Sequence, residues 1–141
     1  MSDDPSLSGK SGPADAPGDV RSEAEQRDFE IRFYEGVLKC SPTFIEVLQV
    51  LGGHYTAVGR YADGLTIDRR LVRLSPDDPI AHYNLACSLS LTGKAEAALR
   101  ELAEAVHLGY DDVDHMEQDP DLENLRDEPV YAQLVQRLRG L

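Results

Sequence analysis

One thiol, one imidazole and a dense run of acids are the side chains with the widest chemical reach here, and their spacing argues against catalysis. Cys87 and His54 are the one thiol and imidazole that adjoining helices could bring together, as a nucleophile and its base require. Nothing near Cys87 in the sequence lowers a thiol pKa, so the pair does not read as an activated nucleophile. Asp112, Asp114, Glu117 and Asp119 are dense enough to attract calcium. They lack the alternating ligands and the glycine of a calcium loop, and acids placed before prolines explain the run more simply. No CxxC or HxxxH offers a transition-metal site, and His107 and His115 stand alone as surface residues. Cys40 and Cys87 are too few and too far apart for a disulfide framework. We expect no catalytic residue, no metal and no cofactor.

Composition narrows the partners. The chain has 141 residues, enough for one domain with a continuous core and too few for two. Fourteen basic and twenty-six acidic side chains leave a net charge of -12, which repels nucleic-acid phosphates and anionic lipid. No run reaches the eighteen or more apolar residues of a membrane span, and MSDDPSLSGK lacks the basic start and apolar stretch of a signal peptide. A cytoplasmic protein with protein or peptide partners is the expectation.

What positions any functional residue is an internal repeat. Shifted by thirty-four positions, Leu51-Gly52 falls on Leu85-Ala86, Gly59 on Gly93, Gly64-Leu65 on Ala98-Leu99, and Val72 on Val106. A period of that length marks a helix-turn-helix unit that buries its apolar face only against its neighbours. Residues 1–21, rich in proline, glycine and serine, read as a disordered tail. Ser22 and Glu25 have the spacing of a capping box, and Ile31, Tyr34 and Leu38 recur with helical period, so residues 22–40 form a capping helix. The first repeat covers 43–78, opened by a second capping box at Thr43 and Glu46 and punctuated by Gly59. Gly52 and Gly64 occupy slots where paired helices approach closely. The second repeat covers 79–112, with Asp78 as cap and Pro79 at the first helical position. After Gly109 the period fails, and residues 113–141 read as a helical lid over the exposed end, with Asp119-Pro120 opening a short helix and Val130 to Leu138 a final stripe.

These residues resemble the tetratricopeptide repeat family. Leu48, Leu51-Gly52, Tyr55, Gly59, Tyr61 and Pro76 match it in the first unit, and Leu85-Ala86, Leu89, Gly93, Ala98, Ala105 and Leu108 in the second. Gly109-Tyr110, Asp119-Pro120-Asp121-Leu122 and Pro129 resemble the closing segment of many bacterial proteins of this type. The resemblance implies an all-α, right-handed α-solenoid of two helix-turn-helix units with an N-terminal capping helix and C-terminal capping helices. It also implies a concave groove lined by the first helix of each unit, which would carry Gln49, Gly53, Ile80, Tyr83, Asn84, Cys87 and Leu91. Tyr83 would be the aromatic anchor and Asn84 a partner for peptide backbone.

Three residues depart from the family pattern: His82 stands where tryptophan is common, Tyr110 where proline is, and Asp68 where a large apolar residue is preferred. An unpaired carboxylate in a packed seam costs several kcal/mol. In the family's geometry that slot lies near His82, so either Asp68 and His82 pair across the unit interface, raising the histidine pKa, or Asp68 reaches the edge and water. Neither groove helix, Ile45 to Val58 or Pro79 to Thr92, contains a lysine or arginine. Family members that clamp acidic tails use such cations, so a neutral or apolar segment is the expected ligand. Charge lies elsewhere, with nine acids and one arginine from Asp111 to Glu128, and Arg60, Arg69, Arg70 and Arg73 clustered on the first unit. A non-enzymatic adaptor or assembly scaffold is the function expected. Self-association through the stack ends or the charge-segregated faces is the alternative, which makes a homo-oligomer a second possible assembly.

Overall fold

The structure is a computed structural model that describes the backbone of residues 3–140 and the side chains of residues 22–140. Seven α-helices and one 3-10 helix follow one another, with no strand among the described residues. They are α1 (Asp3–Cys40), α2 (Ile45–Ala57), α3 (Tyr61–Leu74), α4 (Pro79–Leu91), α5 (Ala95–His107), α6 (Val113–Gln118), the 3-10 helix (Pro120–Leu125) and α7 (Pro129–Leu138). The tail expected over 1–21 lies outside the fully described residues. Ser22 lies inside α1, not at its start, so the capping box expected there has no helix end to cap.

Helices α2 with α3 and α4 with α5 form the two hairpins, and their turns share one geometry. Gly59 and Gly93 both adopt φ +80°. The amide of Arg60 donates to the Tyr55 carbonyl at 2.8 Å, and thirty-four residues on the amide of Lys94 donates to Leu89 at 2.8 Å. Glycine enters that left-handed region without the strain any other L-residue meets, so these two positions set where each hairpin turns. At the other turn Asp78 accepts from the Ile80 amide at 2.9 Å while Pro79 takes the first helical position. The capping box expected at Thr43 and Glu46 is absent: Phe44 is the N-cap residue of α2, and no side chain caps it.

Two apolar clusters hold the stack. One joins α1 to the first hairpin through Ile31, Leu38, Leu48, Leu51, Tyr55, Ile67 and Leu71. The other joins the second hairpin to the lid through Leu85, Leu89, Leu99, Leu102, Met116, Leu122 and Leu125. Helix α4 is buried nearly all round, from Ala81 through Ser90 except Asn84, because α3, α5 and the 3-10 helix all pack on it. That central position explains why its sequence lacks the amphipathic pattern of α3 and α5. Gly52 lets α2 lie close to α3, since a Cβ there would stand 3.3 Å from Ile67 Cγ2 and 3.5 Å from Asp68 Oδ1.

The lid is tied down by polar bonds as well as leucines. Asn124 Nδ2 donates to the Ser90 carbonyl at 3.1 Å, and Arg126 Nη2 donates to the carbonyls of Asp119 at 2.6 Å and Met116 at 3.3 Å. Arg126, the one cation in the acidic run, therefore serves the lid's own backbone and not an outside partner. Acids at the helix starts also match the favourable end of the helix dipole.

Candidate functional site

A cavity of about 280 Å³ opens between α2 and α4 and is walled by the lid. Gln49, Gly52, Gly53 and Thr56 contribute from α2, Asp68 and Leu71 from α3, and Tyr83, Asn84, Cys87, Ser88 and Leu91 from α4. His115, Asp119 and Asp121 close it from the lid side. Six of the seven expected groove residues thus share one hollow: Gln49, Gly53, Tyr83, Asn84, Cys87 and Leu91. Ile80 lies apart, in a neighbouring hollow with Pro79, Tyr83, Asn84, Tyr110 and His115, where it is half exposed.

Their roles differ from expectation in one central respect. Tyr83 is buried, with 4% of its surface exposed, and does not reach out as an anchor. Its ring stacks on Tyr110 at 4.5 Å between centroids and 10° between planes, and its hydroxyl donates to Asp119 Oδ2 at 2.6 Å. The lid has claimed the tyrosine, and Tyr110, one of the departures from the family pattern, is what it stacks on. Burial, with the bond to Asp119 second, pushes its phenol pKa far above the ordinary range. Tyr83→Phe should therefore destabilise the chain by about 1–2 kcal/mol, because it leaves the half-buried Asp119 oxygen with only the weaker contacts to Cys87 and His115. Urea denaturation checks this, and an unchanged midpoint would show that the bond contributes nothing. The exposed groove surface is left to Gln49, Gly53 and Asn84.

Asp68 and His82 do not pair with each other. Asp68 Oδ2 accepts from Ser88 Oγ at 2.5 Å, whereas His82 Nδ1 lies 2.7 Å from Glu101 Oε1 and its Nε2 lies 2.7 Å from the Pro76 carbonyl. Register placed both residues at the interface of α3 and α4, but the imidazole turns toward α5 and the carboxylate toward the groove. Burial lowers the His82 pKa, and the bonds to Glu101 and Pro76 outweigh it, for a net rise. Burial pushes the Asp68 carboxyl up to about 6, and the Ser88 bond opposes the rise only in part.

Cys87 shares the site with the lid acids. Its Sγ lies 3.8 Å from Asp119 Oδ2, and the ligand atoms of Cys87, Asp119 and Asp121 all lie within 4.8 Å of one another. No sequence motif signals this grouping, since Cys87 and Asp119 are thirty-two residues apart. Asp119 spends both oxygens inside the protein, Oδ1 accepting from the Asp121 amide at 3.0 Å and Oδ2 from Tyr83. Burial first, then the charges of Asp119, Asp121 and Asp68, hold the Cys87 thiol protonated, the opposite of what a nucleophile or a metal thiolate needs. His54, the imidazole that the sequence offers as its base, lies elsewhere, its Nε2 2.9 Å from Glu30 Oε1 and its Nδ1 3.1 Å from Arg27.

No protein-family model matches the chain. Among curated proteins it is 30% identical over 89 residues to a chloroplastic protein of Arabidopsis thaliana, a stretch covering 61% of this chain and 27% of that protein. It is 32% identical over 83 residues to the TPR repeat-containing thioredoxin TTL4 of Arabidopsis thaliana, covering 59% of this chain and 9% of that one. The chain therefore spans well under a third of either relative. Among solved structures it superposes on a MamA RS-1 double mutant with a TM-score of 0.66 at 18% identity, over 84% of this chain and 69% of that one. A MamA crystal structure gives 0.63 at 22% identity, over 87% and 69%. At those identities the likeness is one of fold. Helices, period, turn geometry and these matches agree: the chain is an all-α, right-handed solenoid of tetratricopeptide-like repeats, capped by a helix at one end and by a helical lid at the other.

Proposed function

We propose that this protein is a non-enzymatic interaction module, an adaptor or assembly scaffold, that holds a peptide or helix of a protein partner in the hollow between α2 and α4. One observation carries the reading: the helices that line the hollow leave Gln49, Gly53 and Asn84 exposed at its mouth, while the lid shuts one side. A cleft with a few convergent polar groups is the usual form of such a site. Leu71 and Leu91 favour a segment with uncharged side chains along the groove, in keeping with helices α2 and α4 that carry no lysine or arginine. The Cys87 thiol, held protonated by burial and by the acids beside it, supports a binding role over a catalytic one.

Gly53 supplies the test. A Cβ there would meet nothing within 4 Å, so a side chain at this position starts into open space, and Gly53→Trp would obstruct the mouth while gaining about 0.5 kcal/mol of helix propensity. Peptides selected from a random display library on the wild-type protein should lose at least about tenfold in affinity for the variant, with stability undiminished. Equal binding by the two proteins would remove the groove from the account.

A second reading, association between copies, is favoured by the outer face of α1. Phe29 and Phe33 are 57% and 54% exposed, stack with centroids 6.3 Å apart, and point away from the core that Ile31 and Leu38 enter. Exposed aromatics at the end of a repeat stack suit a partner surface. Light scattering separates the readings, because a monomer that persists at high concentration and low salt rules out the second.

A further inference from the structure

The hollow contains a feature that a plain peptide groove does not need. Asp68 is only 8% exposed, lines the cavity, and makes one hydrogen bond, from Ser88 Oγ to its Oδ2. Its Oδ1 accepts from no donor among the described residues and lies over the bare backbone of Gly52. A carboxylate offers about four acceptor positions, and a buried one without a cation carries a desolvation penalty of several kcal/mol. From the lid side Asp121 also lines the cavity, and its carboxylate oxygens accept no hydrogen bond from the described residues. Against these acids the lining offers no lysine or arginine. His115 is its one basic side chain, 58% exposed, with Nε2 3.5 Å from Asp119 Oδ2.

We propose that this pocket receives a guanidinium or ammonium group, an arginine or lysine side chain of the bound segment, with Asp68 as its principal partner and Asp121 facing it. The inference takes the groove of the preceding section as its starting point and adds the residue that the partner must present. A bound cation would supply the donor that Asp68 Oδ1 lacks and balance the charge of the lid wall, while uncharged side chains on either side follow Leu71 and Leu91. Burial raises the Asp68 pKa to about 6, and an incoming cation would lower it again by favouring the ionised form. The expected ligand thus changes from a wholly neutral segment to an uncharged segment with one basic residue.

Amide NMR titration of the whole chain tests it with two small probes of equal shape, N-acetyl-arginine amide and its neutral isostere N-acetyl-citrulline amide. The arginine probe should shift the amides of Asp68, Ser88 and Asp121, the citrulline probe should not, and protonating Asp68 at acid pH should weaken the effect. Asp68→Asn, which keeps an acceptor for Ser88, should bind the arginine probe about tenfold to a hundredfold more weakly, the loss expected for one charge-assisted contact. Asp121→Asn, whose carboxylate caps nothing, should also weaken it, and Asp77→Asn on the exposed turn should not. Equal shifts from both probes, or unchanged binding by both pocket variants, would overturn the inference. So would Zn²⁺ shifting Cys87, Asp119 and Asp121 while no guanidinium does. Selected peptides without a basic residue that still bind at Gln49, Gly53 and Leu91 would leave the groove standing and remove this pocket. An arginine probe that binds while no peptide does would support the pocket and remove the groove.

Discussion

Asp68→Asn should stabilise the folded chain at neutral pH by about 1–3 kcal/mol, an unusual direction for a change at a buried position. Burial raises the Asp68 pKa from its ordinary 3.8 to about 6. Each unit is worth about 1.4 kcal/mol, so roughly two units set the upper figure, and the weaker bond from Ser88 to a neutral amide reduces it. The folded chain holds this proton more tightly than the unfolded chain does. The contribution of Asp68 to stability is therefore fully present below about pH 4 and is lost as pH rises through about 6. Asparagine has no such dependence. Urea denaturation of wild type and variant across pH 4 to 8 should give curves that converge at the acid end and separate with the variant higher at the neutral end. A variant less stable at pH 7 would show that the carboxylate is held by partners the structure does not contain.

Leu122→Ala has the largest expected cost. Leu122 is fully buried where the 3-10 helix packs on α4, beside Leu125 and Met116. Removing a buried leucine side chain costs about 2–5 kcal/mol, depending on how far the surroundings collapse. In a stack whose units bury their faces only against neighbours, that loss should stay at one end. Amide exchange should accelerate in the lid and α4, which the lid covers, and change little in α1 and α2, because Ile31, Leu48 and Leu51 belong to the other apolar cluster. Uniform acceleration along the chain would mean that the two clusters unfold as one. The substitution should also weaken ligand binding, since the lid forms one wall of the hollow.

The period of thirty-four made the hairpins legible, because a turn glycine and small residues at the helix crossings must recur wherever the same geometry does. Gly59 and Gly93 show this with identical φ. Helix ends were less legible where no side chain marks them: α2 starts at Phe44 without a cap, so a Thr43 and Glu46 motif suggested bonds that do not form. The site was partly legible for a different reason. Register puts Gln49, Gly53, Asn84 and Leu91 on one concave surface, but it says nothing about side-chain rotation. His82 could therefore turn to Glu101, nineteen residues away, in place of Asp68. The lid was the main surprise. Asp119 was readable as a cap, which it is for the Asp121 amide, and nothing local indicates that its other oxygen reaches Tyr83, thirty-six residues earlier. That bond converts an expected anchor into part of the wall, and the lid carboxylates Asp119 and Asp121 make that wall acidic.

Mapping a bound peptide onto the chain tests the central claim most directly. With a display-selected peptide added to isotopically labelled protein, amide shifts should concentrate at Gln49, Gly53, Asn84 and Leu91 and extend to Asp119 and Asp121 on the lid. Shifts confined to Arg69, Arg73 and Arg100, or to the outer face of α1 around Phe29 and Phe33, would place the partner elsewhere and contradict the account.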